Sequence, residues 1–508
     1  MIEPAVEFPT DAPTLQSMLL ELLSTLEEKE RRIGQLSFQL EALKRHLFGR
    51  RSEKLDPGQM ALELGDLSLP ELEASAEPVA PEPVQEVARQ GHGRQRLPRQ
   101  LPRVRVEHDV AAEQRFCRDC RESLVRIGEE VSEQLEYVPA SLFVREHARI
   151  KYACPHCEGN VVIGAAPAQP IDKGLPGPGL LAHVLTSKYA DHLPLHRLEG
   201  ILARHGVELS RSTLCDWVAA GARLLTPLVE EMKKGVLASR KIHTDDTPVP
   251  VLEKNREVTR TGRLWVYLGD GDREEVVFDY TPDRKRDGPQ RFLAGYKGYL
   301  QADAYAGYDR IYVGDEVVEV ACWAHARRKF FDAIKSDGRR APVALGFIRR
   351  LYEIEKSARE LDAVQRRARR QVDAAPVLAA LQVWLEEQQA VVLPKSPLGE
   401  AIGYARAQWA ALTRYLEDGI LDIDNNAAER ALRRVAVGRK NWLFAGSDEG
   451  GRRAAVIYSF IASCARLKIN PYEYLRDVLE RIPTLSGTAL AELTPKAWKD
   501  ARATAPVV

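Results

Sequence analysis

The sequence predicts a multidomain α/β protein, and three observations support that prediction. Leucines repeat in heptads near the N-terminus, two Cys-x-x-Cys pairs follow, and short β-rich runs after residue 240 are interrupted by a long helical block. The chain has 508 residues, 44% of them hydrophobic, which is enough to fill several cores. Three or more structural units are therefore expected.

The N-terminal segment and the cysteine content indicate a cytoplasmic protein. The first fifteen residues contain acids and prolines where a secretory signal needs a basic stretch and an apolar run. No apolar run approaches the length of a membrane span. Seven cysteines in such a protein point to metal ligands or free thiols rather than disulfides. The net charge of +0 hides local segregation, because residues 56–88 carry eight acids and no Lys or Arg, and arginines follow directly.

Residues 12–55 are predicted to form a leucine-zipper coiled coil. Leucine or isoleucine recurs in steps of three and four from Leu15 to Leu47, and Lys29 is the one break. This repeat favours a homo-oligomer, although a single amphipathic helix packed on its own domain has the same pattern. Residues 56–92 are predicted to be a disordered acidic linker, because prolines lie among acids and nothing periodic is present.

Two Cys-x-x-Cys pairs predict a zinc-finger or zinc-ribbon domain in residues 93–170. The pairs supply the four thiolates that a closed, structural Zn²⁺ site requires: Cys117, Cys120, Cys154 and Cys157. The residues between the pairs alternate as strands do. Two redox pairs are the alternative, and no thioredoxin-like context supports it.

Residues 171–232 are predicted to be a helix-turn-helix region. One helical run ends at Gly206, and Ser210 is a good cap for the next. Arg211 and Ser212 would then lie at the exposed start of a DNA recognition helix. An ordinary helical hairpin fits the pattern equally well. The two helices would share a core of Leu198, Ile201, Leu202, Leu214, Trp217 and Val218.

Three acids, far apart in sequence, predict a two-metal site. Asp245 follows an apolar-alternating run, just before prolines expected to end the strand, and Asp303 ends a second predicted strand. Glu429 lies about one turn inside a helix that Asp424 or Asn425 can cap. When a phosphodiester is attacked, two hard cations about 4 Å apart activate the nucleophile and stabilise the leaving oxyanion. Mg²⁺ (or Mn²⁺) binds through a few converging carboxylates. A strand, a strand and a helix is the ligand layout of the ribonuclease-H-like fold.

These acids divide the remaining chain. Residues 233–325 are predicted to be the first part of a ribonuclease-H-like core, and residues 326–418 a helical insertion. The insertion explains why Asp303 and Glu429 are so far apart in sequence. Residues 419–482 would hold the catalytic glutamate helix and the C-terminal core, and residues 483–508 a C-terminal tail.

Basic residues near the acids predict a DNA-binding surface, because they would neutralise phosphates. A solvated helix face is the alternative reading. Trp442 and Phe444 would either stack on a flipped or frayed base at the cleavage point or belong to the core. Arg284 and Arg286 are candidate contacts near the scissile bond. The DNA-binding candidates near the acids are Arg327, Arg328, Arg430, Arg434, Arg439 and Lys440.

The cysteines and histidine outside the zinc pairs have simpler interpretations. Cys322 and His325 form a Cys-x-x-His motif after an apolar strand. They are either a pair beside the active site or a buried thiol with a core histidine. Cys215 and Cys464 are interpreted as small core residues.

Several long motifs, in one order, resemble the insertion-sequence sixty-six (IS66) family of bacterial transposases. They are HTDDTPVPVL, GYLQADAYAGYD, CWAHARRKF, DNNAAERALR and GRKNWLFAGSDEGG, within a match from about residue 15 to 480. The resemblance implies a DDE transposase whose catalytic acids are Asp245, Asp303 and Glu429. The family usually shows Asp-Glu-Thr where this chain has Asp-Asp-Thr, so Asp246 competes with Asp245. Adjacent strand side chains face opposite ways, so one of the two is expected at the site.

The resemblance implies hydrolysis at transposon ends, which frees 3′-hydroxyls, followed by strand transfer into target DNA. Asp245 would bridge both Mg²⁺ ions, Asp303 would hold one, and Glu429 would hold the other and orient water. The implied partners are terminal inverted repeats, target DNA and companion proteins of the same element. Two alternatives are a non-catalytic DNA-binding regulator, which intact acids argue against, and a nuclease of the same fold that cuts without joining. Cut-and-paste excision and a replicative intermediate are both open.

Overall fold

The computed structural model describes Lys29 and residues 142–147, 151–153, 161–163, 167–172, 174–253, 257–271, 273–314 and 316–503. The predicted coiled coil apart from Lys29, the predicted linker and the four predicted zinc ligands lie outside these residues. Contacts divide the chain into two units, Arg50–Glu146 and a unit that includes His147–Val508, to which every element below belongs. In the described ranges no helix is long and apolar enough to cross a bilayer.

The first two strands form an antiparallel pair within the predicted zinc domain. Strand β1 (Lys151–Ala153) pairs with β2 (Val161–Ile163), and Lys151 is opposite Ile163. These strands flank residues 154–160, which contain two of the four predicted ligands and are outside the described residues. Strand β1 lies between the two Cys-x-x-Cys pairs, where strands were expected, and β2 follows the second pair.

Between β2 and the main sheet, the described residues form three helices: α1 (Pro178–Tyr189), α2 (Leu195–Arg204) and α3 (Arg211–Leu237). The predicted turn between α2 and α3 is present. Gly206 has a φ of 79°, which favours glycine, and the Ser210 hydroxyl accepts a hydrogen bond from the Thr213 amide at 3.2 Å. The predicted shared core is buried, with Ile201 partly so. Helix α3 has 27 residues and continues past the expected end at residue 232, because its apolar face packs along the core.

A five-stranded mixed sheet forms the centre of the protein. Its strands are β3 (Lys241–Val251), β4 (Arg260–Leu268), β5 (Val276–Thr281), β6 (Gly298–Gln301) and β7 (Val317–Val320). They lie side by side in the order β5-β4-β3-β6-β7. The first three strands pair antiparallel, whereas β6 and β7 run parallel to β3. The predicted α/β class is therefore confirmed. Helix α4 (Asp287–Phe292) lies between β5 and β6 in the sequence.

Strand β3 corrects one expectation, because its prolines do not end it. Pro248 and Pro250 lie inside the strand and pair in register with Arg263 and Thr261 of β4. On the other side, β6 pairs with β3 over residues 241–243, so the distal half of that side carries no β6 partner. Proline lacks an N–H group and is tolerated where a strand edge needs no donor. The pairing at this edge uses the Pro250 carbonyl, which accepts from the Ala445 amide at 2.8 Å.

The predicted helical insertion is helical and has its own apolar core, separate from that of the sheet. Arg370 is buried at the start of a π-helical turn (Arg370–Ala374) and makes two hydrogen bonds to the Glu355 carboxylate, at 2.8 and 2.7 Å. It also donates to the Tyr415, Asp418 and Leu421 carbonyls. The helices are α5 (Trp323–Ala333), α6 (Ala341–Ser357), α7 (Ala363–Arg369), α8 (Ala375–Val391), α9 (Pro397–Ala407) and α10 (Trp409–Thr413).

Four helices complete the fold: α11 (Asn426–Trp442), α12 (Asp448–Leu467), α13 (Pro471–Arg481) and α14 (Pro495–Ala503). Helix α12 covers edge strand β5: the Ser463 hydroxyl accepts from the Val276 amide at 2.8 Å and Ser459 from Phe278 at 2.9 Å. The segment expected to be a tail packs on the core through Trp498, whose ring centroid lies 5.4 Å from that of Tyr474.

Candidate active site

The three predicted acids come from elements that meet in the sheet core. Asp245 lies on central strand β3, Asp303 follows the parallel neighbour β6, and Glu429 lies in the first turn of α11, which packs on β3. Burial raises the pKa of the Asp245 carboxyl, and the negative charges of Asp303 and Glu429 raise it further. The fold thus brings three acids that are distant in sequence within electrostatic reach of one another.

The donors of this site match the chemistry of a hard divalent cation. Asp303 Oδ1 is buried and has no protein hydrogen-bond partner, and burial raises the pKa of this carboxyl. Asp245 Oδ1 accepts the Asp246 amide at 2.7 Å. Carboxylate oxygens are the ligands that Mg²⁺ and Mn²⁺ prefer. In the described part of the chain, however, no three His, Cys, Asp or Glu side chains stand close enough to hold a metal ion, so binding requires the carboxylates to converge.

The adjacent acid, Asp246, is held in ion pairs. Its Oδ2 lies 2.9 Å from Arg263 Nη1 and its Oδ1 lies 2.8 Å from Arg284 Nη2, and its side chain is 2% exposed. Arg284 Nη2 also lies 3.6 Å from Asp303 Oδ2. Asp245 instead faces the charges of Asp303 and Glu429. This difference favours Asp245 over Asp246 as the metal-binding acid.

Residues 418–425, here called the connecting segment, join the insertion to the helix of Glu429 and are hydrogen-bonded to the sheet. Lys241 Nζ lies 2.7 Å from Asp422 Oδ2, and His243 Nε2 lies 2.9 Å from the same oxygen. The Gln301 side-chain amide donates to the Asp422 carbonyl at 2.6 Å. Although burial opposes ionisation, the His243 hydrogen bond and the Lys241 charge hold the pKa of Asp422 well below its usual range. The segment is therefore fixed to β3 and β6.

Asn425 bonds to the two strand residues that directly precede Asp245. Its Nδ2 donates to the Thr244 carbonyl at 2.8 Å, and its Oδ1 lies 2.9 Å from His243 Nδ1, which must donate because Oδ1 is an acceptor. Its amide donates to Cys322 Sγ at 3.1 Å. Asn425 is the N-cap residue, but its side chain bonds to β3 and not to the helix. Asn425 thus ties the start of the Glu429 helix to the strand of Asp245.

Both members of the Cys-x-x-His motif lie at the site. Cys322 is buried, precedes α5 and holds the Asn425 amide, so it has a structural role. His325 Nε2 lies 3.9 Å from Glu429 Oε1, and His325 Nδ1 is buried without a protein hydrogen-bond partner. Burial lowers the pKa of His325 against the opposing charge of Asp303, and Arg328 lowers it further. The interpretation of His325 as a residue beside the active site fits this geometry better than a satisfied core histidine does.

The predicted DNA-binding residues are placed differently from one another. Arg328 lies near His325, whereas Arg327 is directed at the Tyr352 ring, 5.9 Å from its centroid. Arg434 lies near His192, and Arg439 donates to Thr247 Oγ1 at 3.3 Å and to the Pro248 carbonyl. Arg430 and Lys440 are exposed on α11, and Arg211 and Ser212 are exposed at the start of α3.

Two other sequence expectations are refined by position. Phe444 is 41% exposed, but it lies fifteen positions after Glu429 along α11 and its end, about 20 Å away at 1.5 Å per residue. Stacking at the cleaved bond itself is therefore not supported, and Trp442 packs against the core. Cys464 is buried as expected, whereas Cys215 is exposed because it lies on the outer face of α3. The expectation for Cys215 was wrong.

Sequence reasoning missed the residues that position the acids. His243 and Asp422 were not singled out, and Asn425 was considered only as a helix cap, although Lys241 and His243 on a predicted core strand were a signal that buried polar partners existed. Nothing local indicated which partners these were, since the hydrogen bonds from Asn425 to β3 span 181 and 182 positions.

Four family models match the chain. Transposase IS66 family matches residues 173–453, the zinc-finger binding domain of transposase IS66 matches 114–158, Transposase C of IS166 homeodomain matches 35–106, and the IS66 C-terminal element matches 459–495. The zinc-finger match spans all four predicted zinc ligands.

Curated relatives come from Sinorhizobium fredii (strain NBRC 101917 / NGR234). Uncharacterized protein y4jD is 36% identical, over 94% of this chain and 97% of the relative. Uncharacterized protein y4hP is 36% identical over 92% and 89%, and y4qI is 32% identical over 95% and 96%. These relatives extend along nearly the whole chain, as do the family models. The chain therefore belongs to the IS66 family of transposases.

Proposed function

We propose that this transposase is a DDE enzyme that cleaves DNA at the ends of its element and joins the freed 3′-hydroxyls to target DNA. One observation carries the proposal: Asp245 on β3 lies near Asp303, just after β6, and Glu429 on α11, in a partly buried site where burial and the charges of the other two acids raise its pKa. Perturbed, mutually repelling acids in one place are the signature of a site built to receive a cation.

We further propose that the sheet is a ribonuclease-H-like core interrupted by the helical insertion. Three antiparallel strands followed by two parallel strands support this assignment, as does the position of the two aspartates on and after adjacent parallel strands. The separate apolar core of the insertion supports its being an addition to the fold. The insertion also contacts the connecting segment through Arg370, so it helps to position Glu429.

In this proposal Asp245, Asp303 and Glu429 hold Mg²⁺ or Mn²⁺. Such ions, when bound, activate the attacking hydroxyl and stabilise the leaving oxygen. The chain's own contributions are positional. Asn425 fixes the helix of Glu429 to the strand of Asp245, and Asp246 forms ion pairs with two arginines. His325 places a ring nitrogen 3.9 Å from the Glu429 carboxylate and is suited to orient it.

DNA would lie along helix α11, beside the acids. Its exposed face carries Arg430, Arg433 and Lys440 at helical spacing, starting directly after Glu429. At 1.5 Å per residue, this face extends for about 15 Å, the length of about four to five base-pair steps. Arg211 and Ser212 on α3 remain predicted contacts for the terminal inverted repeat. Phosphate contacts of this kind should make affinity steeply dependent on salt.

The remaining proposals concern assembly and the zinc domain. We infer self-association through the predicted coiled coil, one structural Zn²⁺ held by Cys117, Cys120, Cys154 and Cys157, companion proteins of the same element, and action on cytoplasmic DNA. Metal analysis of purified protein should give one zinc per chain, and Cys154→Ser should lose it. Light scattering of the full chain and of a variant lacking residues 12–55 tests the assembly.

The decisive experiment supplies the purified chain with duplexes carrying the element's own ends. With Mg²⁺ we expect nicks at the ends, and with pre-cleaved ends we expect joined products in a target plasmid. Asp245→Asn, Asp303→Asn and Glu429→Gln should each abolish both products, whereas Glu449→Gln, which alters an exposed acid paired with Arg452, should not. Binding without cleavage would identify a regulator, and cleavage without joining would identify a nuclease.

A further inference from the structure

The ion pairs around Asp246 place an arginine beside a catalytic acid. Arg284 donates to Asp246 Oδ1 from both Nε and Nη2, at 2.9 and 2.8 Å, and its Nη2 also lies 3.6 Å from Asp303 Oδ2. Arg263 pairs with the other oxygen of Asp246 at 2.9 Å. Asp246 therefore carries two arginines on one carboxylate, and one of them extends to the active site.

We propose that Arg284 is a resident counter-cation of Asp303 and that Asp246 holds it in place. Arg284 competes with the divalent cation for Asp303 and moves to a DNA phosphate when that cation binds. This inference rests on the proposed function. It assigns Asp246 a positioning role, distinct from that of the metal-binding Asp245.

The formal charges of Asp246, Arg263, Arg284 and Asp303 explain why Arg284 would change partners when a divalent cation binds. Asp246 with Arg263 and Arg284 has a net charge of +1, which the charge of Asp303 balances. A divalent cation on the three catalytic acids would leave Arg284 beside a second positive centre, and like charges at this separation repel. A phosphate oxygen is the natural new partner, because guanidinium groups pair with phosphates through parallel hydrogen bonds.

The surroundings of Arg284 allow this change of partner. Its side chain is 38% exposed, whereas that of Asp246 is 2% exposed, so the arginine can reach solvent and DNA while the acid stays fixed. Its guanidinium lies 4.1 Å from the centroid of the Tyr305 ring, and the Tyr305 hydroxyl donates to the Arg284 carbonyl. The backbone is therefore anchored, and the head group is free to exchange anions along the face of the ring.

Two substitutions separate this role from that of an ordinary structural ion pair. Arg284→Gln removes the competing cation and should tighten Mn²⁺ binding. Asp246→Asn releases Arg284 to pair fully with Asp303 and should weaken it. We expect shifts of about fivefold in each direction, the factor given by an ion pair worth about 1 kcal/mol at a partly exposed site. Loss of folding would weaken binding in both variants.

The experiment measures Mn²⁺ affinity of the full-length protein by calorimetry. Arg291→Gln, which removes an arginine paired with Asp279 at 3.4 Å outside the site, serves as the matched control and should not shift affinity. Asp245→Asn should abolish the binding that is measured. A second measurement, salt-dependent binding of end DNA with Mn²⁺ present, should show a shallower salt slope for Arg284→Gln, since one phosphate contact is lost.

The outcomes are distinguishable. Tighter binding by Arg284→Gln together with weaker binding by Asp246→Asn supports the inference. If Arg284→Gln leaves Mn²⁺ affinity unchanged or weakens it, while Asp245→Asn still abolishes binding, the inference is wrong and the proposed function stands. If the unaltered protein binds no Mn²⁺ at the site of Asp245, the proposed function fails, and the inference fails with it. Should Asp246→Asn not fold, Arg284→Gln alone decides.

Discussion

Replacement of Asn425 by alanine tests how the protein positions its catalytic glutamate. The Asn425 side chain is buried and connects the start of α11 to β3 through the Thr244 carbonyl at 2.8 Å and His243 Nδ1 at 2.9 Å. Alanine removes both hydrogen bonds but keeps the backbone amide that donates to Cys322. The helix should still form, because the asparagine side chain does not cap it.

The magnitude follows from the two groups left unsatisfied. A buried donor or acceptor that loses its partner costs about 1–3 kcal/mol, so the loss of both should lower the free energy of unfolding by about 2–6 kcal/mol. Catalysis should suffer more than stability suggests, because a displacement of about 1 Å at a reacting group can reduce the rate about a hundredfold. We therefore expect end cleavage to fall by about two orders of magnitude at a temperature where the variant is still folded.

Urea denaturation and single-turnover cleavage of end DNA measure the two effects. Asn426→Ala is the matched control: it alters the next residue, whose side chain donates to Asp424 Oδ2 at 2.8 Å and not to the sheet. Its cost should be below about 1.5 kcal/mol. If the two alanine variants unfold alike, or if Asn425→Ala cleaves at the unaltered rate, the positioning role of Asn425 is refuted.

Three further predictions test the site and its supports. Asp245→Asn should raise the melting temperature while abolishing cleavage, because the raised pKa of Asp245 makes its ionised form destabilising at neutral pH. This gain in melting temperature should shrink as the pH falls through that pKa, and a gain that grew towards acid pH would contradict the prediction. Arg370→Met breaks a buried ion pair with Glu355 and should cost about 3–5 kcal/mol in urea denaturation. Arg369→Met breaks a more exposed pair with Asp373 and should change little, so equal costs would refute the role of Arg370. Ser459→Ala with Ser463→Ala leaves two buried amides of β5 unpaired and should cost about 2–6 kcal/mol by the same measurement. A cost below about 1 kcal/mol would contradict this role of the two serines.

Local sequence patterns predicted the helices and strands well where the cause was local. The turn at Gly206 and the cap at Ser210 are present because left-handed backbone and side-chain capping depend on a few neighbouring residues. The glutamate of α11 is one turn inside its helix, as the sequence indicated. The length of strand β3 was underestimated, because tolerance of its prolines depends on which side of the strand is left without a partner strand.

By itself, the sequence determined the order of the main elements and the family, and it predicted Asp245, Asp303 and Glu429 as the catalytic acids. These are carried by periodicity, residue type and motif, which need no knowledge of distant contacts. The tertiary structure decided that Asp246 pairs with two arginines, which of them lies beside Asp303, and that Asn425 connects helix to strand. Each of those depends on strand register and on side chains up to 182 positions apart, so no local pattern contains it.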